Sequence, residues 1–356
     1  MTQVLEPTRR RAGKSRLAVL LAVLLVAALV VAAGWAAVSF VGSASDGSAD
    51  FSGPGEGNVV VEVAAGDTAG DIASTLVEAD VVASTAAFVD AAAADDRSLG
   101  IQPGFYELKQ GMSGEQALAL LLDPASRVET EVAIPEGIRV DQIIDLLVEA
   151  TELPRGDFEA LIANPQAIGL PPYAQGNPEG FLFPATYTFG PQVTAKEVLT
   201  AMVDRFDVAA QDLHLNQRAS AVGLTPYEVV IVGSLVQAEV AVRDFGKAAR
   251  VVYNRLELGM PLGFDSTVNF ALESDDLTLT DEQLSVDSPY NTYDNLGLPP
   301  GPINSPGEAA LEAALDPPPG DWLYFVAVAP GSDETQFTES YEEFLQFKDE
   351  FYAQVP

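Results

Sequence analysis

The chain has no cysteine and a single histidine, His214, in 356 residues, and its 18 lysines and arginines face 52 aspartates and glutamates. Without thiols there is no disulfide framework, no cysteine nucleophile and no Cys/His zinc site. One imidazole leaves none to spare around a Ser-His triad. Metal and redox chemistry are therefore disfavoured, and neither a cofactor nor a metal is expected. The shortage of cations excludes a general nucleic-acid binder, because phosphate affinity comes from Lys and Arg displacing counterions. Carboxylates are left as the groups for catalysis near neutral pH. The net charge of −34 speaks to solubility rather than fold.

Charge is also missing from one long run. Arg9, Arg10, Arg11, Lys14 and Arg16 precede 25 residues, Leu17 to Val41, that carry no charged side chain. An apolar helix of that length, at about 1.5 Å per residue, crosses a hydrocarbon core of about 30 Å, whereas the apolar part of a secretory signal is only about 7–15 residues. The expectation is a basic cytoplasmic tail (1–16), a transmembrane helix (17–41) and a Gly/Ser/Asp-rich flexible linker (42–57). This makes a single-pass cell-membrane protein whose body lies outside the cytoplasm. Without the first 45 residues, which hold 5 basic groups and Glu6, the remainder keeps 13 basic against 51 acidic, a net −38. Anionic lipid repels such a body, so retention rests on the one helix.

The outer part reads as α+β. Val59–Val63 is a short β-branched strand, followed by a turn at 65–67 and a helical pattern at Ile72, Leu76 and Val77. The plan returns about 70 residues later, with Val132–Ile134, the turn at 135–137 and the apolar positions Ile143, Ile144, Leu147 and Val148. The tetrad at 76–79 recurs at 147–150, so the βα module is duplicated. Gly104–Leu108 reads as a strand, and Ser113–Leu122 as a helix capped by Ser113 with Gln116 at N3. The apolar run Gly180–Tyr187 is expected to join two halves. Helices follow from Thr194 to Phe206, from the capping box at Thr225 to about Val242, and from Lys247 to Leu258, closed by Gly259. Asp265–Thr267 and Ser288–Gly307 read as loops, Leu323–Ala329 as a final buried strand and Tyr341–Tyr352 as a helix. The resulting divisions are 58–125, 126–190 and 191–356.

One carboxylate stands out. Between Val229 and Val242 the helix is apolar except for Ser234, Gln237 and Glu239, so Glu239 has little access to bulk water. Desolvation by Leu235, Val236 and Val242 raises its pKa toward the range of a general acid, while Arg243 at i+4 opposes this. Either Glu239 is catalytic or it forms an ordinary helix-end ion pair with Arg243. The loops beyond it, Asp265-Ser266-Thr267 and Tyr290-Asn291-Thr292-Tyr293, supply hydroxyls, an amide and rings suited to sugars. The long Pro-rich loop suits a shaped binding element.

Taken in order, Ser234–Glu239, Ala249–Leu256 with Gly259–Leu262, Asp265–Val268, Tyr290–Tyr293, Gly297–Gly307 and the earlier Glu179–Pro184 strongly resemble the MltG (YceG-like) endolytic murein transglycosylases. The resemblance covers Val59 to the C-terminus. It implies a small LysM-like module (58–125), a second βα module and connector (126–190) and a mixed α+β catalytic domain (191–356). It further implies cleavage of the MurNAc–GlcNAc β-1,4 bond within glycan strands, leaving 1,6-anhydro-MurNAc ends. The family's catalytic glutamate falls on Glu239. Gln237 stands where the family has its first acidic position. Asp265, Ser266, Thr267, Tyr290, Asn291, Thr292 and Tyr293 are the expected sugar contacts, and Asn254 and Arg255 either join them or brace the helix pair. Partners would be peptidoglycan strands and wall-synthesis or division proteins of the membrane.

The sequence departs from the family where histidines are common near the C-terminus: Thr335-Gln336-Phe337 and Glu343-Phe344 stand there, and Phe270 replaces a frequent tyrosine. Two rivals remain. One is a non-catalytic, membrane-tethered peptidoglycan scaffold; the other is a hydrolase, which needs a second carboxylate such as Asp265.

Overall fold

The computed structural model describes residues 49–354 apart from Leu277. The expected basic tail and membrane span lie outside the described residues. Among the described residues no single helix is long and apolar enough to cross a membrane. The fold is mixed α+β with three two-stranded sheets among the described residues, and it divides between Val128 and Glu129 into two compact units.

In the first unit, β1 (Pro54–Val63) pairs antiparallel with β2 (Gly104–Met112). Between them lie α1 (Ala69–Glu78) and α2 (Thr85–Ala94), and α3 (Gly114–Leu121) follows. Local chemistry sets the helix starts: Thr68 and Asp71 form a capping box, and the Ser113 side chain accepts from the Gln116 N–H. Val61, Val63, Leu76, Phe88, Tyr106 and Leu108 close the core. The stretch read as linker is partly structured. Pro54–Gly57 belong to β1, Asp50 accepts from the Gly114 N–H at 3.1 Å, and the Ser113 N–H donates to the Gly53 carbonyl at 3.0 Å. The start of α3 recruits these small polar residues, which composition alone marks as flexible.

The second unit begins with the same strand-helix-helix-strand order. β3 (Thr130–Ala133) pairs antiparallel with β4 (Thr186–Phe189), and between them run α4 (Val140–Thr151) and α5 (Arg155–Ile162). Each unit thus holds a βααβ arrangement. Then come α6 (Ala195–Asp212), α7 (Leu215–Ala219), α8 (Pro226–Glu239), α9 (Phe245–Leu258), α10 (Asp265–Leu272), α11 (Asp281–Leu284) and α12 (Glu308–Leu315). The chain ends in a hairpin, β5 (Tyr324–Ala327) with β6 (Thr335–Thr338), and α13 (Tyr341–Tyr352).

Two apolar clusters fill this unit. One gathers around β3, α4 and α6, the other around α8, which is buried on every side from Val229 to Val236. The Gly180–Phe183 run contributes to both clusters within this unit: Phe181 and Phe183 enter the α8 cluster and Leu182 enters the other. Gly180 is required here, since its φ is +86° and a Cβ would stand 2.7 Å from Pro302.

Three expectations are corrected. Helix α8 stops at Glu239, not near Val242, because Val240 is extended (φ −144°, ψ 167°). Asp265–Thr267 form the first turn of α10, not a loop. The strand at 324–327 is half-buried rather than buried, and it is not final, since β6 pairs with it.

Candidate active site

Glu239 is the last residue of α8. The extended backbone at Val240 takes Arg243 out of helical register, and its guanidinium instead approaches Asp244 at 3.6 Å. The ordinary i,i+4 pairing with Arg243 is therefore absent, because the chain leaves the helix before Arg243 can come round.

The partner of Glu239 comes from α10. The Ser266 hydroxyl donates to Glu239 Oε1 at 2.5 Å. Ser266 is the second residue of α10, so the Glu239 carboxyl sits at a helix N-terminus, whose free N–H groups and dipole favour negative charge. Burial opposes them and wins. It pushes the Glu239 carboxyl up to about 7, with Asp265 adding to the rise, and Ser266 and the nearby Arg255 pulling down. A carboxyl held there exchanges a proton readily at neutral pH.

A cleft of about 340 Å³ opens beside Glu239, walled by Asp265, Arg255, Tyr293, Phe325, Phe344 and Lys348 among others. The Tyr293 hydroxyl donates to Asp265 Oδ1 at 2.6 Å, fixing both at the rim. A second cleft of about 370 Å³ has Ser266 in its lining, together with Ala238, Glu136, Gln237, Asn269 and Asn304. Glu239 lines the first cleft and its hydrogen-bond partner Ser266 lines the second.

Only part of the expected set of sugar contacts reaches the clefts. Asp265, Ser266, Tyr293 and Arg255 reach the clefts. Thr267, Asn291 and Thr292 are buried and serve the scaffold. The Thr292 hydroxyl accepts from the Phe264 N–H at 3.0 Å and lies 2.9 Å from the Thr267 hydroxyl, which itself donates to the Phe264 carbonyl. Asn291 donates to the carbonyls of Leu284 and Val286. Tyr290 lines neither cleft; its ring packs on Phe270 with centroids 4.7 Å apart. Asn254 donates to the carbonyls of Gly320 and Trp322 and faces a different hollow. Arg255 donates to the carbonyls of Leu323 and Leu262 and lies over the rings of Phe264 and Tyr324. It thus braces β5 while presenting charge toward Glu239.

Sequence reasoning missed the wall supplied by α13. Phe344, Lys348 and Tyr352 fall at i, i+4 and i+8, and that spacing was the available signal. It also missed Glu179, buried where α4 begins, which accepts from the Val140 N–H; burial pushes its carboxyl up to about 8. Of the positions where histidine was expected, Phe344 lines the Glu239 cleft. Among the described residues no group of three or more His, Asp or Glu side chains could hold a metal ion.

A buried carboxyl pushed up to about 7 beside a cleft, on a mixed α+β scaffold, has the geometry of a general acid-base enzyme. The match to known sequences is narrower. The YceG-like family matches residues 61–350, and the chain belongs to that family. It is 31% identical over 311 residues to the endolytic murein transglycosylase of Bacillus subtilis, covering 83% of this chain and 85% of that protein. It is 32% identical over 265 residues to the endolytic murein transglycosylase of Streptococcus pneumoniae, covering 64% of this chain but 46% of that longer protein. A crystal structure of a yceG-like protein from Listeria monocytogenes aligns with a TM-score of 0.56 at 30% identity, over 82% of this chain and 99% of that one.

Proposed function

We propose that this chain is an endolytic murein transglycosylase, cutting the MurNAc–GlcNAc β-1,4 bonds of peptidoglycan strands and leaving 1,6-anhydro-MurNAc ends. The observation that carries the reading is the Glu239 carboxyl, buried, pushed up to about 7 and lining a cleft in a chain of this family. Protonated Glu239 gives its proton to the departing glycosidic oxygen. The carboxylate left behind, held by the Ser266 hydroxyl, then takes the proton of the C6 hydroxyl as that oxygen attacks C1 of the same sugar. The attacking group is already attached, so no water or second nucleophile has to be positioned. This suits a site in which Asp265 is engaged by the Tyr293 hydroxyl. Asp265, Ser266, Tyr293 and Arg255 are the proposed sugar-facing groups.

The βααβ order of the first unit supports a LysM-like glycan-binding role for it. The uncharged run 17–41 behind a basic tail supports residence in the cell membrane with the body outside.

The test is to incubate the full chain with glycan strands and weigh the products, with Glu239→Gln as control. Anhydro-ended fragments from the parent, reduced about a hundred- to ten-thousand-fold in the variant, are expected. Ends carrying an added water would mean a hydrolase. No product from the parent would mean a scaffold, and equal product from both would remove Glu239 from the chemistry.

A further inference from the structure

Lys348 sits in the third turn of α13 and lines the same cleft as Glu239. Its ammonium lies over two rings of its own helix, 5.8 Å from the centroid of Phe344 and 5.8 Å from that of Tyr352. It has no ion-pair partner among the described residues. This matters in a chain with nearly three acidic groups for every basic one. The carboxylate across the cleft, Asp265, is bonded by Tyr293, and the cleft's other cation, Arg255, is tied to the carbonyls of Leu323 and Leu262. Lys348 is thus a positive charge, held by rings and facing the cleft, in a protein whose overall field repels anions.

We infer that Lys348 is a specificity residue that binds a carboxylate of the substrate strand on the Tyr293 side of Glu239. The inference rests on the glycan-strand reading above. Two sources offer that chemistry: the carboxylates of an attached stem peptide, and the free lactyl carboxylate of a MurNAc from which the peptide has been removed. A lysine makes a point-charge contact, which either source satisfies.

Binding separates this inference from the proposed activity. In the full chain made inactive by Glu239→Gln, strand dissociation constants are measured with and without Lys348→Met. The strands are peptide-bearing, peptide-stripped, and each of these with its carboxylates converted to neutral amides. On carboxylate-bearing strands Lys348→Met weakens binding roughly tenfold, as for one partly exposed charged contact, and high salt shrinks the difference. On amidated strands the ratio falls below twofold, and Lys348→Arg restores most of the loss. A loss confined to peptide-bearing strands assigns the stem peptide, one confined to stripped strands assigns the lactyl group, and either supports the inference. Equal ratios on charged and amidated strands overturn it, even where the parent still yields anhydro ends. A charge-dependent loss without any anhydro product from the parent keeps Lys348 as a carboxylate site and rejects the proposed reaction instead.

Discussion

Glu239 is pulled both ways at the scale of a single residue, and the balance sets its pH behaviour. Burial and Asp265 favour the protonated acid, while the Ser266 hydroxyl and the charge of Arg255 favour the carboxylate. Because the acid must carry a proton into the reaction, turnover should fall as pH rises through about 7, where that proton is lost. Ser266→Ala removes one donor that lowers this pKa. The alkaline limb of kcat/KM should therefore move to higher pH. The rate at the optimum should fall roughly tenfold, since the carboxylate formed on proton release loses a charge-assisted hydrogen bond. A pH profile of anhydro-product formation checks both effects. A limb that stays in place or moves toward acid would show that Ser266 does not tune Glu239.

The site is assembled at the scale of elements by two helix ends meeting. Helix α8 brings Glu239 on its final turn, and α10 brings Ser266 on its first. The start of α10 is fixed by Thr292, whose hydroxyl accepts the Phe264 N–H from inside the Ser288–Gly307 loop. Thr292→Val keeps the shape but leaves that buried N–H without an acceptor, so it should cost about 1–3 kcal/mol in denaturant unfolding. By loosening Ser266 it should also lower kcat. Stability lost with kcat unchanged would separate the Thr292 clamp from the site.

This arrangement also explains what the sequence revealed and what it hid. Helices α4, α6 and α13 were legible because apolar periodicity and local caps such as Thr194 with Glu197 lie within a few residues of each other. The start of α10 was not legible. Its cap position is Phe264, which offers no side-chain acceptor, and the groups that meet its start, Glu239 at the Ser266 hydroxyl and Thr292 at the Phe264 N–H, lie more than twenty residues away on either side. The end of α8 was hidden for the opposite reason. Val240, Ala241 and Val242 continue an apolar pattern that any helix would accept, and only the extended Val240 backbone breaks it. Glu239 itself was legible, as an isolated carboxylate in an apolar helix. The purely structural roles of Thr267, Asn291 and Thr292 were not, because polar residues at a helix start or in a Pro-rich segment look the same whether they face a ligand or hold the scaffold.

At the scale of the whole molecule an acidic body follows an uncharged N-terminal run, and residues 49–57 are hydrogen-bonded into the first unit. Ser84 donates to the Ala49 carbonyl, Asp50 accepts from the Gly114 N–H, and Pro54 pairs with Met112 at the end of the first sheet. Shortening the chain to start at Ala49 therefore removes the proposed anchor without touching a described contact. That protein should be soluble, unfold cooperatively and form the same anhydro product, whereas the full chain should sediment with membranes. Starting at Asn58 instead deletes the Asp50 bond and the outer end of β1, and should cost about 1–2 kcal/mol, read as a lower melting temperature. Two results would break this account. If the protein beginning at Ala49 still binds anionic vesicles despite its excess of negative charge, the uncharged run is not what holds the chain at the membrane. If both shortened forms melt together, residues 49–57 do not stabilise the first unit.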